Sequence, residues 1–270
     1  DYNVAIGLNA ADALAGNSDK NIAIGRNALG TEDLASSCLA IGDSALATQN
    51  DNSAINLAIG ASAGYAITDG TKNVLIGYEA GNAIATTNGN TAVGYQALKL
   101  NTAAANTAVG YKAGAELAGG ESNTAIGAYA LLEADTDEEF NTAVGRGALQ
   151  HLDVADGDHN TALGANAGRF HTDGSTPILD LVQCTYLGSS TKCSGASPEN
   201  EIAIGYATHG IGNNTVALGN TSMTNIKGQV DFAAYSDRRI KRDITNDDTG
   251  LAFIEKLQRS EEHTSELQSH

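Results

Sequence analysis

The chain has 270 residues, a formal net charge of −17, 31 glycines, 5% aromatic residues and no Trp. So acidic a chain is a poor partner for nucleic acid, and no apolar run reaches the roughly 18 residues that a transmembrane helix requires. With so few aromatic side chains to fill it, a thick globular core is excluded as well.

From Asn3 to Gly219 one short motif recurs thirteen times, as in Asn90-Thr91-Ala92-Val93-Gly94. Its glycines are Gly7, Gly25, Gly42, Gly60, Gly77, Gly94, Gly110, Gly127, Gly145, Gly164, Gly188, Gly205 and Gly219. Most intervals are 16 to 19 residues, with one of 24 and a last one of 14. A fixed period without a long helical pattern marks a solenoid. The predicted fold of residues 1–223 is therefore all-β, a parallel β-solenoid or β-roll of about 13 short coils.

The columns of the repeat have separate roles. The residue before each glycine is aliphatic in all thirteen copies. The residue two before is Ala except at Leu75 and Tyr186, and three before stands Thr in six copies and an apolar residue in seven. Alternation places the aliphatic column on one face of a short strand and the Ala column on the other. We expect the larger side chains (Ile6, Ile24, Ile41, Ile59, Ile76, Val93, Val109, Ile126 and Val144) to stack inward as a thin core. The Ala columns would then form a second face for a neighbouring subunit. The glycine suits a positive φ. Asn stands four before in nine copies. It suits a left-handed turn or a stacked amide ladder.

Departures from the repeat are the places to look for recognition. The longest irregular stretch, about 165–187, contains Arg169, Phe170, His171 and Asp173, the candidate binding residues, because loops on a rigid scaffold carry contacts. The acidic run Asp135–Glu139 reads as a solvated loop rather than a calcium site. Cys38 and Cys184 occupy the Asn column. Cys184 and Cys193 could pair, but spacing alone leaves that open. No His falls at ligand spacing from the cysteines, so neither a metal nor a cofactor is expected.

After Gly219 the repeat ends. Residues 224–235 read as a transition strand. Residues 236–258 begin a different unit, with Asp247, Asp248 and Thr249 as helix caps before Leu251, Phe253, Ile254 and Leu257. Residues 259–270, Arg259 to His270, resemble the translation of a sequencing-library adapter and are set aside.

The pattern N-[TSV]-A-[IV]-G-x-x-A across residues 3–223 resembles the head repeats of trimeric autotransporter adhesins, and still more the longer-period versions in phage and prophage tail-fibre proteins. That resemblance implies a left-handed β-roll with three chains packed side by side. The run Ser236-Asp237-Arg238-Arg239-Ile240-Lys241-Arg242-Asp243-Ile244 resembles the start of the endosialidase-type intramolecular chaperone. It implies Ser236 as nucleophile and Lys241 as its base, with self-cleavage between Tyr235 and Ser236 in the intact protein. A Lys serves as base for a Ser hydroxyl when desolvation lowers its pKa. The unit is a stub here, so no cleavage is expected of this chain.

The expected function is a structural, host-surface-adhesion fibre, a phage tail fibre in the virion. The expected partners are two further copies in a homotrimer and a host receptor such as a glycan, with no nucleic acid and no membrane insertion. The alternative is a bacterial cell-surface trimeric adhesin, which would end in a membrane anchor rather than a chaperone. A glycan-cleaving enzyme needs two positioned carboxylates, which the repeat columns lack. Ice binding on the Thr run from Thr91 to Thr185 ranks behind these.

Overall fold

The computed structural model describes residues 2–14, 18–30, 36–51, 53–134, 137–152, 157–177, 180–195 and 197–226. Two compact units divide at Met223, and the first holds every strand among the described residues. Thirteen three-residue strands occur one per coil: β1 (Val4–Ile6), β2 (Ile22–Ile24), β3 (Leu39–Ile41), β4 (Leu57–Ile59), β5 (Val74–Ile76), β6 (Thr91–Val93), β7 (Thr107–Val109), β8 (Thr124–Ile126), β9 (Thr142–Val144), β10 (Thr161–Leu163), β11 (Thr185–Leu187), β12 (Ile202–Ile204) and β13 (Val216–Leu218). They form one parallel sheet in strict chain order. Each column pairs with itself, as Thr91 with Thr107, Ala92 with Ala108 and Val93 with Val109. The architecture is a β-solenoid of about 12 turns, and no helix occurs among the described residues.

The faces of the strands are inverted relative to the sequence expectation. The Ala column is the interior: Ala23, Ala40, Ala58, Ala92, Ala108, Ala143 and Ala162 are fully buried. The aliphatic column points outward, with Ile6, Val109, Ile126, Leu163 and Leu218 all exposed. Alternation along the strand holds, but its sign is reversed. The reason is thickness. Each coil folds back so tightly that the strand faces the Ala three after each glycine and the Leu that often follows it, as in Ala97 and Leu98, both fully buried. A close-packed layer this thin admits a methyl group, and a larger residue fits only where a neighbour makes room.

That trade is visible at the two exceptions in the Ala column. Leu75 and Tyr186 are fully buried. Beside Leu75 the position normally taken by Leu is glycine in two coils. A Cβ on Gly64 would lie 2.7 Å from one Leu75 methyl carbon, and one on Gly81 would lie 2.6 Å from the other. Gly168 clears the ring of Tyr186 in the same way, at 2.9 Å.

The anchoring glycine is fixed by the coil above it. Gly94 has φ +137, and a Cβ there would meet the carbonyl oxygen of Gly110 at 2.3 Å. The same near-contact repeats up the column, so any side chain at this corner would hold two coils apart.

The Asn column has a different job from the one the turn argument assigned. Its residues are not left-handed; the residue before each is, as at Lys72 (φ 60), Ala105 (φ 58) and Ser122 (φ 59). The Asn side chains are buried and bridge coils. The Oδ1 of Asn73 accepts the backbone N–H of Asn90 at 2.9 Å, that of Asn90 accepts from Asn106 at 2.9 Å, and that of Asn106 accepts from Asn123 at 2.8 Å. Each Nδ2 donates onward to a carbonyl, as Asn106 to Gly120 at 2.8 Å. Both ends of a buried amide are satisfied, which is the condition for burying it.

Between the glycine corner and the next turn, residues alternate in hand. Gln96 (φ 55) and Leu98 (φ 48) are left-handed. The alternation sends N–H groups in both axial directions: Gln96 donates back to Tyr78 at 2.8 Å, and Leu98 forward to Ala113 at 3.0 Å. Left-handed backbone costs an L-residue roughly 1–2 kcal/mol. The inter-coil hydrogen bonds that it permits offset that cost across the irregular side of the roll.

Candidate functional site

The outward sheet face is a long, uniform surface. It carries an aliphatic column along all thirteen strands and, beside it, six threonines in register from Thr91 to Thr185. Exposed members run from Val4 and Ile6 at one end, through Val109 and Ile126, to Val216 and Leu218 at the other. A contiguous apolar strip of this length is unusual on a monomer.

Next to the glycine corner stands a column that composition alone hides. Tyr78, Tyr95 and Tyr111 occupy the same place in three successive coils. Their rings stack at 5.3 and 5.2 Å with interplanar angles of 14° and 8°. Tyr129 closes the row edge-on at 5.3 Å. Glu79 binds the foot of the ladder, accepting from Gln96 Nε2 at 2.8 Å and pairing with Lys99 Nζ at 2.7 Å. The Lys99 hydrogen bond holds the Glu79 carboxyl below its usual range, and the hydrogen bond to Glu79 raises the Tyr78 phenol. Three Tyr residues following successive motif glycines were the available signal in the sequence.

The predicted binding residues of the 165–187 stretch divide in two. Arg169 and Phe170 come together: the guanidinium carbon lies 4.7 Å from the ring centroid. Arg169 also donates to Asn166 Oδ1 at 3.0 Å and to His151 Nε2 at 3.4 Å. His151 is held by Glu133, with Nδ1 2.7 Å from Oε2. Burial first, then the charge of Arg146, lowers the Arg169 pKa, while Glu133 opposes the shift. Asp173 is exposed and serves the loop itself. Its carboxylate takes the Thr176 hydroxyl and the N–H groups of Ser175 and Thr176, at 2.8 and 2.9 Å for the amides. These bonds, the Thr176 hydroxyl foremost, bring its pKa to about 2.

His171 turns inward instead. Its Nδ1 lies 3.6 Å from Cys193 Sγ, an approach that sequence spacing did not suggest. A thiol beside an imidazole invites a nucleophile reading, but burial pushes the Cys193 thiol up to about 12, and its Sγ donates to the Gly195 carbonyl at 3.1 Å. It remains a protonated, inert thiol. Cys184 is also free and buried, with its pKa raised by burial. Its Sγ takes the place of the Asn oxygen and accepts the Glu201 N–H at 3.5 Å. Glu201, fully buried in the same column, accepts from Tyr186 Oη at 2.9 Å, Ser194 N at 3.2 Å and Gly212 N at 2.9 Å. This polar knot repairs the ladder where Asn is missing.

A recess of about 450 Å³ opens at the last coil between His209, Ile211, Val216, Leu218 and Asn220. It holds no carboxylate pair. Among the described residues no group of His, Cys, Asp or Glu is arranged to hold a metal ion, and no helix is long and apolar enough to cross a membrane. Ser236 and Lys241, the segment 236–258 and the tail 259–270 lie outside the described residues, as do Ile178 and Leu179 of the 165–187 stretch. No family model, curated protein or solved structure matches the chain.

Proposed function

We propose that the chain is a segment of a structural, surface-binding fibre, a phage tail fibre assembled as a homotrimer. The observation that supports this reading best is the unbroken outward aliphatic column. A strand whose inward face is almost always Ala turns its Ile, Val and Leu column outward, where another surface can cover it. Three copies packed through that face would bury it around a common axis. The repeat motif shared with trimeric adhesin heads supports the same stoichiometry, and the Ser236–Lys241 register supports the tail-fibre reading over a bacterial cell-surface adhesin.

Sedimentation equilibrium of the protein at micromolar concentration tests the assembly. A mass three times that of the chain is expected, and a monomer without self-association would overturn the proposal. Mass spectrometry of the intact gene product tests the processing. Cleavage between Tyr235 and Ser236, abolished by Ser236→Ala or Lys241→Ala, is expected of the tail fibre. An uncut product would leave the bacterial adhesin as the better reading.

A further inference from the structure

Nothing in the packing of the roll requires three tyrosines after successive motif glycines. Arg26, Asp43, Ala61, Ala128 and Ala165 hold the same place in other coils. Where Tyr stands there, the rings are neither buried nor scattered. Tyr78 is 46% exposed, Tyr95 42% and Tyr111 44%, and each lies against the next at a distance typical of an aromatic pair.

Within this row the pair Tyr78 and Tyr95 differs from the rest. Its ring centroids are 5.3 Å apart, with 14° between the planes. The two residues follow β5 and β6, which pair in parallel register with their backbones about 4.8 Å apart. The two rings therefore meet face to face from equivalent backbone positions. The Tyr78 hydroxyl is hydrogen-bonded to Glu79, whose carboxylate is itself held by Lys99 Nζ at 2.7 Å and Gln96 Nε2 at 2.8 Å. A carboxylate placed at a phenol hydroxyl takes up its proton as the ring loses an electron. The other end of the row is less suited to that loss. Lys112 Nζ stands 5.9 Å from the Tyr111 ring centroid, and a cation there opposes removal of an electron from the ring. Tyr129 meets Tyr111 edge-on at 74°, out of line for bonding between ring faces.

We propose that the ladder is an oxidative cross-linking site, at which Tyr95 couples to Tyr78 as dityrosine when hydrogen peroxide and a haem peroxidase act on the chain. Each phenol gives up one electron and one proton. The two phenoxyl radicals join through ring carbons next to their oxygens. The hydrogen on each joined carbon then moves to the neighbouring oxygen, so both hydroxyls are restored. The peroxide is reduced to two molecules of water, and the protein loses two hydrogen atoms. Rings held against each other couple within one chain faster than radicals on separate molecules can meet. The new bond ties adjacent coils side to side. The inference needs neither the trimer nor the fibre reading, because both tyrosines belong to one chain.

The test treats the full chain, at high dilution, with hydrogen peroxide and a haem peroxidase. Dityrosine fluorescence gives the yield, and mass spectrometry after denaturation and proteolysis gives the position of the bond. The expected product has the mass of a single chain less two hydrogen atoms, with Tyr78 joined to Tyr95. Tyr78→Phe and Tyr95→Phe should each lower the single-chain yield by about tenfold or more. Tyr206 is the internal control. It follows Gly205 in the same column and is 71% exposed, but Ser189 and Asn220 hold the equivalent places on either side. It has exposure without a stacked neighbour, so Tyr206→Phe should leave the yield unchanged. Each variant removes one oxygen from a side chain outside the core, and its circular dichroism melt should match that of the parent. Bonds formed mainly between chains, or through Tyr206, overturn the proposal, as does a parent-like yield in Tyr95→Phe. A bond chiefly between Tyr95 and Tyr111 overturns the assignment to Tyr78. Denaturation before the mass is read keeps assembly out of the result: a monomer that forms the bond loses the trimer and retains this site.

Discussion

Single side chains in this roll are constrained by what lies one coil above and below, and Asn101 shows what happens when a residue lacks such a partner. Both its Oδ1 and its Nδ2 are buried without a hydrogen bond. The corresponding positions in the coils on either side are Ile84 and Leu117, both fully buried. Leaving a buried amide unsatisfied costs about 1–3 kcal/mol, so Asn101→Leu should stabilise the protein by that order, read as a higher denaturation midpoint. A lower midpoint would mean that Asn101 has a role that its surroundings do not reveal. Asp173 makes the opposite kind of bond, fully satisfied and fully exposed. Its folded pKa of about 2 lies below the unfolded carboxyl value. The order it lends the 170–177 turn is therefore present above about pH 4 and is lost as pH falls through about 2. The amide resonances of Ser175 and Thr176 should titrate together in that window, and a midpoint near 4 would show that the three hydrogen bonds do not persist in solution. At this scale the sequence was legible for the motif glycines. Their fixed place at the corner announces backbone that a side chain cannot share. It was not legible for Asn, whose turn propensity and ladder role predict the same conserved column and differ only in where the amide points.

The element that folds here is the coil rather than the strand, because three residues of strand bury nothing alone. What each coil must satisfy is a volume. The sequence displayed that constraint in a form easily misread: a column that is almost always Ala suggests a surface open to close approach. The better signal was its near-invariance in size together with its exceptions. Leu75 is accompanied by Gly64 and Gly81 where other coils carry Leu46 and Leu98, a compensation across neighbours that only an interior requires. It leads to a cycle of variants. Leu75→Ala should cost about 2–5 kcal/mol through the cavity that it leaves. Gly81→Leu alone should also destabilise, since a Cβ there already meets Leu75 at 2.6 Å. The double variant should recover much of both losses. Leu46 and Leu98 adopt the same left-handed backbone at φ 48, so the glycine is present for space more than for conformation. Chemical denaturation of the four proteins gives the coupling energy. Strict additivity would show that the two side chains do not share one volume.

For the whole molecule, the inversion of the strand faces changes what the roll is for. A core of Ala, Leu, Ile and buried Asn leaves a second aliphatic column as an external strip along the sheet. Repeat length and strand direction were readable from periodicity alone. Which side of the strand faced inward was not, since alternation fixes parity and says nothing of sign. The tyrosine ladder was readable as a Tyr after three successive motif glycines, and Arg169 and Phe170 were legible as candidates; what joins Arg169 to His151 and Glu133, residues one or two coils apart, was not. The proposed trimer gives the external strip a direct test. Val109→Lys and Ile126→Lys place two charges in the middle of the aliphatic column, at side chains that are 37% and 40% exposed in the single chain. Charges at exposed strand positions leave the interior untouched, so each chain should keep its β-sheet circular dichroism. Buried in an interface, the same charges lack partners, and the penalty for desolvating them should dissociate the assembly. The expected result is a shift from trimer to monomer in sedimentation velocity, with a thermal midpoint that falls because the assembled state no longer adds to the stability of the roll. A double variant that remains trimeric would place the subunit contact on another face and leave the outward column without an assigned partner.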